Sequence, residues 1–213
     1  MDGSNENNGK NEVISKIVSI EWGMFTSVNE GGERASCQED RPTFEGMRTA
    51  QFAAWPAFVR ESYLDDLEEA IREKRNLVEE KYIHMMKLTD PVQYGALQHR
   101  VETPSDTKLV LAREICEKVL EQTHTLYGQY PYVSGHGRPL YSKDDRYGTS
   151  IETYQFGELL TYSERTLAGL KEHIFALEKS GGSLARTILE NTVKFYGYET
   201  LDTAEKATKE RLG

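Results

Sequence analysis

Apolar residues in this chain recur at intervals of three and four and nowhere alternate with polar ones, so the faces it can bury belong to amphipathic helices rather than strands. The first such run, residues 11–28, sets a problem for the rest. At about 100° per residue, Val13, Ile14, Ile17, Val18, Ile20, Met24, Phe25 and Val28 share one broad stripe, and Glu21 falls in its middle. A carboxylate left alone in an apolar core costs several kcal/mol, so Glu21 must be paired, hydrogen-bonded, protonated or bound to a ligand.

Turn residues over 29–34 and a loop over 35–42 lead to a second run from about Thr43, with Phe44, Met47, Phe52, Ala54 and Trp55 inward. Arg48 and Gln51 point into that stripe and breach the pattern again. Pro56 breaks the run. Residues 57–75 then form an ordinary amphipathic helix with Val59, Tyr63, Leu64, Leu67 and Ile71 inward, and the acidic outer face of Asp65, Asp66, Glu68 and Glu69 reads as solvated. Asn76 caps a helix over 77–88, on which Glu80 and His84 share one edge four residues apart. Pro91 opens a short helix to about Gln98, and Pro104 a longer one to about Tyr127 that places Cys116 in the core. Over 128–147 the pattern stops, although the tyrosines there argue for a packed loop rather than a disordered one. A long helix is expected over 150–179 with Glu152 and Ser163 within it, then another over 184–196, then a polar terminal helix capped by Asp202 and Glu205. The expected class is all-α: a single-domain multi-helix bundle with long irregular loops over 11–213, after a disordered leader over 1–10 rich in Asn and Gly.

A formal charge of −9 and a pI near 5.2, with Lys and Arg scattered among acids, argue against a nucleic-acid partner. No apolar run approaches about 18 residues, so no membrane span is expected. Two cysteines, Cys37 and Cys116, form no disulfide framework and fit a cytoplasmic location. The long helices could also pack across the two-fold axis of a homodimer.

Glu21, Arg48, Gln51 and Glu152 thus point at apolar stripes from separate segments, with Glu80 and His84 at a boundary. One reading is a structural ion-pair network, for instance Glu21 with Arg48, that sets helix register. The other is a ligand pocket between helices, as bundles build them. Glu80 and His84 could also meet a divalent metal or share a proton. Glu152, three residues after Thr149, fits a capping box and could fold back on its own helix start. Cys37, in a loop ahead of a helix, is a candidate thiolate, and His136 with Arg138 could close over an anionic group. No phosphate-binding glycine loop, Gly-x-Ser-x-Gly elbow or His-Glu-x-x-His motif is present.

Glu21-Trp22 with Met24-Phe25, Ala35 to Gln38, Phe44 with Met47-Arg48, Gln51 and Trp55, Asn76-Leu77 with Glu80-Lys81-Tyr82, Gly137-Arg138-Pro139, Glu152-Thr153-Tyr154, and Leu189 to Thr192 with Tyr196 to Tyr198 together resemble the bacterial and archaeal domain-of-unknown-function family four-one-two-five. The resemblance spans residues 11–198. It implies a single helical prokaryotic domain and brings no assigned catalytic role to any position. The expectation is an enzyme acting on a small polar metabolite, with Glu21, Glu80 and His84 in acid–base or metal-ligand roles. Arg48, Gln51, Cys37, Arg138, Glu152 and Tyr154 would then contact the substrate. The alternatives are a non-catalytic binder with an aromatic and carboxylate pocket, and an interaction module whose buried charges are structural.

Overall fold

The computed structural model describes residues 3–28, 38–135, 137–147 and 149–212. Among them are eleven α-helices and no strand, which bears out the all-α class. They are α1 Gly3–Ser27, α2 Arg41–Ala53, α3 Ala57–Arg72, α4 Leu77–Thr89, α5 Pro91–Leu97, α6 Asp106–Gln129, α7 Pro131–Ser134, α8 Ile151–Leu159, α9 Glu164–Lys179, α10 Leu184–Phe195 and α11 Leu201–Leu212. None of these helices is long and apolar enough to cross a membrane.

Most of the stripes read from the sequence close on one another, although Met47 and Ile71, expected inward, are exposed. Ile14, Ile17, Val18 and Met24 of α1 meet Phe52 and Trp55 near α2, Val59, Tyr63 and Leu67 of α3, and Ile115, Cys116 and Val119 of α6 in one core cluster. Side-chain caps fix where the helices begin. Asp40 accepts from Thr43 N at 3.1 Å to start α2. Asn76 accepts from Val78 N at 3.0 Å and Glu79 N at 3.1 Å to start α4, while its own amide donates to Met24 O at 2.8 Å. The end of α1 is thereby tied to the start of α4.

Four expectations need correction. The helix expected over 150–179 is two helices: the chain turns through residues 160–163, and Ser163 caps α9 by accepting from Thr166 N at 3.2 Å. Asp66 is only partly solvated, unlike Asp65 and Glu69 beside it; it accepts from Ser163 N at 3.0 Å and from the Thr166 hydroxyl at 2.7 Å, which anchors the start of α9 to α3. Residues 128–147 contain α7 and a 3₁₀ turn over Ser142–Tyr147, and Asp145 holds that turn to the start of α8 by accepting from Ser150 N and the Thr153 hydroxyl, both at 2.8 Å. Thr200, not Asp202 or Glu205, accepts from Thr203 N at the start of α11, and Glu205 instead accepts from Tyr132 N and Val133 N of α7.

The break at residues 160–163 has a packing reason. α8 lies between α4 and α6, while α9 must turn away to pack on α6 and α3. A Cβ on Gly157 would come within 2.6 Å of Met85 Cγ and 3.0 Å of Lys81 O, so the glycine lets α8 lie directly on the α4 backbone. That approach positions the polar centre.

Candidate functional site

Glu21 finds its partners. Arg48 donates to both of its oxygens, from Nε at 2.6 Å and Nη2 at 2.5 Å, and the Tyr63 hydroxyl donates to Oε1 at 2.7 Å. Arg48 Nη1 donates onward to Gln51 Oε1 at 2.8 Å and to Glu158 Oε1 at 3.0 Å. Glu158 also accepts from Gln51 Nε2 at 3.3 Å, from the Tyr162 hydroxyl at 2.6 Å and, on Oε2, from Lys81 Nζ at 2.6 Å. Two carboxylates and two cations therefore alternate, Glu21–Arg48–Glu158–Lys81, and their charges sum to zero. Side-chain exposure is 3% at Glu21, 15% at Arg48, 12% at Glu158 and 9% at Lys81, so the pairs are screened little by solvent.

The electrostatics follow from that enclosure. Burial opposes the charge on Glu158, but Arg48 and Lys81 outweigh it and hold the carboxyl well below the usual carboxylate range. Burial also works against Arg48, yet Glu158 and Glu21 keep the guanidinium more firmly protonated than usual. Burial pushes the Tyr63 and Tyr162 phenols up, reinforced by Glu21 at Tyr63 and by Glu158 at Tyr162, so both remain hydrogen-bond donors. At the half-buried edge of this centre, Lys81 Nζ lies 3.5 Å above the Tyr154 ring and the Arg138 guanidinium 5.1 Å from the same ring. Burial raises the Tyr154 phenol, but the Lys81 charge and hydrogen bonding with Tyr82 and Lys81 leave it below its ordinary value.

Glu80 and His84 belong to a different place on α4. Arg75 grips Glu80 with two bonds, Nε to Oε1 at 2.7 Å and Nη2 to Oε2 at 2.9 Å. Arg75 can do so because α3 ends early: Lys74 adopts a left-handed φ of 60°, and Arg75 N returns to Ala70 O at 2.8 Å, which turns the arginine toward the start of α4. Beside this pair opens a cleft of about 270 Å³ lined by Glu80 and His84, residues 102–105, Lys108 of α6, and Leu160 and Glu164 at the α8–α9 junction. Burial, with the charges of Lys108 and Lys87, pushes His84 down to about 4, so the imidazole is neutral at neutral pH. Lys108 is half-buried and has no carboxylate partner among the described residues.

The candidate residues thus separate. Glu21, Arg48 and Gln51 come together, and Glu158, Lys81, Tyr63 and Tyr162 join them. Tyr154 and Arg138 sit at the edge of that group, whereas Glu80 and His84 wall the cleft. Glu152 joins neither: its carboxylate accepts from Ser142 N at 2.7 Å, and Ser150 rather than Thr149 caps α8. Cys37 and His136 lie outside the described residues. Among the described residues no cluster of three His, Cys, Asp or Glu could hold a metal ion. A divalent cation at Glu80 and His84 would have to share the Glu80 oxygens with Arg75 and sit near the Lys108 charge.

Glu158 and Lys81 are the charges that the wheel reading leaves out, although Lys81 stands four residues from both Leu77 and Met85 on the buried side of α4. α8 is packed on both α4 and α6 and has no fully exposed residue, so an inward charge on it does not stand out. The available signal was Gly157-Glu158 inside an otherwise apolar stretch, a glycine where another helix comes close.

No curated protein matches this chain, and no solved structure does. A family model matches residues 11–206, nearly the whole length. The chain therefore belongs to the family DUF4125, described as a protein of unknown function.

Proposed function

We propose that the protein is a cytosolic enzyme that binds a small polar metabolite in the cleft between α4, α6 and the α8–α9 junction, with His84 as its acid–base group. One observation carries this reading: a neutral imidazole stands in the wall of an open polar cleft beside a lysine that has no carboxylate partner among the described residues. A neutral imidazole can accept a proton from a bound substrate. An anionic group of that substrate, drawn to Lys108, offsets the charge that depresses His84 and makes it a stronger base. Arg75 holds Glu80 fixed as part of the wall with two hydrogen bonds. On this reading Glu21, Arg48, Glu158 and Lys81 are the scaffold, because each of their charges is matched within the core, and they hold α4 in register against α8.

The test is a metabolite library screened for thermal stabilisation, followed by turnover assays on the ligands found. His84→Asn is expected to bind such a ligand within a few-fold of the unaltered protein and to lose turnover by about 10²-fold or more. Turnover that survives this substitution within about threefold would refute the assignment of His84.

A further inference from the structure

The cleft carries opposite charges at separate positions. At one, the Lys108 ammonium, which has no carboxylate partner among the described residues, is close enough to depress His84. At another, Glu164 opens α9 and accepts from the Ser105 hydroxyl at 2.5 Å, and the mostly exposed Glu102 reaches Arg75 only at 4.0 Å. Arg75 and Glu80 neutralise each other along the wall. With Arg75 and Lys108 against Glu80, Glu102 and Glu164, the lining carries two positive and three negative charges. A simple anion would meet Lys108 but also unneutralised carboxylates, and a simple cation would meet the carboxylates but also Lys108. A ligand with one charge of each sign at separate ends satisfies both. The cleft of about 270 Å³ lies just below the roughly 300–1,000 Å³ of ordinary ligand pockets, so its ligand is small.

We propose that the ligand of this cleft is a zwitterion of amino-acid size, its carboxylate held by Lys108 next to His84 and its ammonium by Glu164 and Glu102. The proposal rests on the cleft being the binding site, as argued above. Carboxylate binding also fits the state of His84: burial first, then the charges of Lys108 and of Lys87 on its own helix, disfavour its protonation, while Glu80 is already taken up by Arg75.

The experiment records His84 ring signals by NMR, assigned with His84→Asn, while the full-length protein is titrated with the twenty protein amino acids and with a general metabolite library. For each amino acid that binds, the matched acid without the amino group and the matched amine without the carboxyl are titrated too; for L-glutamine these are 4-carbamoylbutanoate and 4-aminobutanamide. The expected result is saturable movement of the His84 signals by at least one amino acid, a rise of the imidazole pKa on binding, and affinity at least about tenfold weaker for both analogues. Lys108→Met and Glu164→Gln should each weaken binding by about tenfold while helical circular dichroism is unchanged. An analogue that binds as tightly as its parent overturns the zwitterion and leaves the cleft standing as a site. So does a library member that moves His84 when no amino acid does. Silence of His84 across every compound overturns the cleft as the site as well.

Discussion

Glu158→Gln is the sharpest test of the polar centre. Four donors converge on this carboxylate, three on Oε1 from Arg48, Gln51 and Tyr162, and one on Oε2 from Lys81. A glutamine of the same shape keeps one acceptor oxygen and turns an NH₂ toward either the Lys81 ammonium or the cluster of three, so at least one buried donor loses its acceptor at about 1–3 kcal/mol. It also leaves the centre with two cations against one anion. Removing one partner of a buried pair costs about 3–5 kcal/mol in total, which in a chain of this size lowers Tm by roughly 6–20 °C. Urea denaturation followed by circular dichroism reads the loss directly. Adding Lys81→Met to Glu158→Gln restores charge neutrality, so the double variant should be more stable than the sum of the two singles predicts, by about 1 kcal/mol or more. The pH dependence has a definite sign. The folded carboxyl titrates below its unfolded value, so its contribution is complete above about pH 4.3 and is lost as pH falls from there toward the folded value; the gap between the two proteins should narrow only in acid. A loss under about 1 kcal/mol at pH 7, or a double variant that is merely additive, would refute the network as a coupled unit.

Three further outcomes are expected. Gly157→Ala puts a methyl against Met85 and the Lys81 carbonyl and should cost about 1–3 kcal/mol through overpacking, measured by thermal unfolding. Asp66→Ala removes the acceptor that holds Ser163 N and the Thr166 hydroxyl at the start of α9, and should cost about 1–2 kcal/mol in the same assay. Burial pushes the Cys116 thiol up to about 12, so in a Cys37→Ser background a thiol reagent at neutral pH should react only as fast as the protein opens, and rapid modification of the folded protein would contradict that burial.

Glu21, Arg48 and Gln51 were legible as inward polar residues because α1 and α2 each have a solvent face, and a charge on the other face breaks a clear period. Even their pairing was within reach of the sequence. Glu158 and the turn at residues 160–163 were not, because helix periodicity reports contrast between two environments and α8, packed on both α4 and α6, has no fully exposed residue. The cleft was half legible. Glu80 and His84 share a helix and so a predictable edge, whereas Arg75 reaches Glu80 through a left-handed Lys74 that the amphipathic pattern, running smoothly to residue 75, did not betray. Lys108 and Glu164 meet His84 only through tertiary packing, which no spacing along the chain encodes.

The neutral sum of Glu21, Arg48, Glu158 and Lys81 constrains how sequences of this family can drift. Loss of one of the four leaves a buried net charge, so neutral paths through sequence space remove them in pairs, one acid together with one base, or keep all four. An intermediate carrying a single change would have to draw on a stability margin of only about 5–15 kcal/mol. Aligned relatives should accordingly show the four positions changing together, while Asp65, Glu69 and other surface charges vary one at a time.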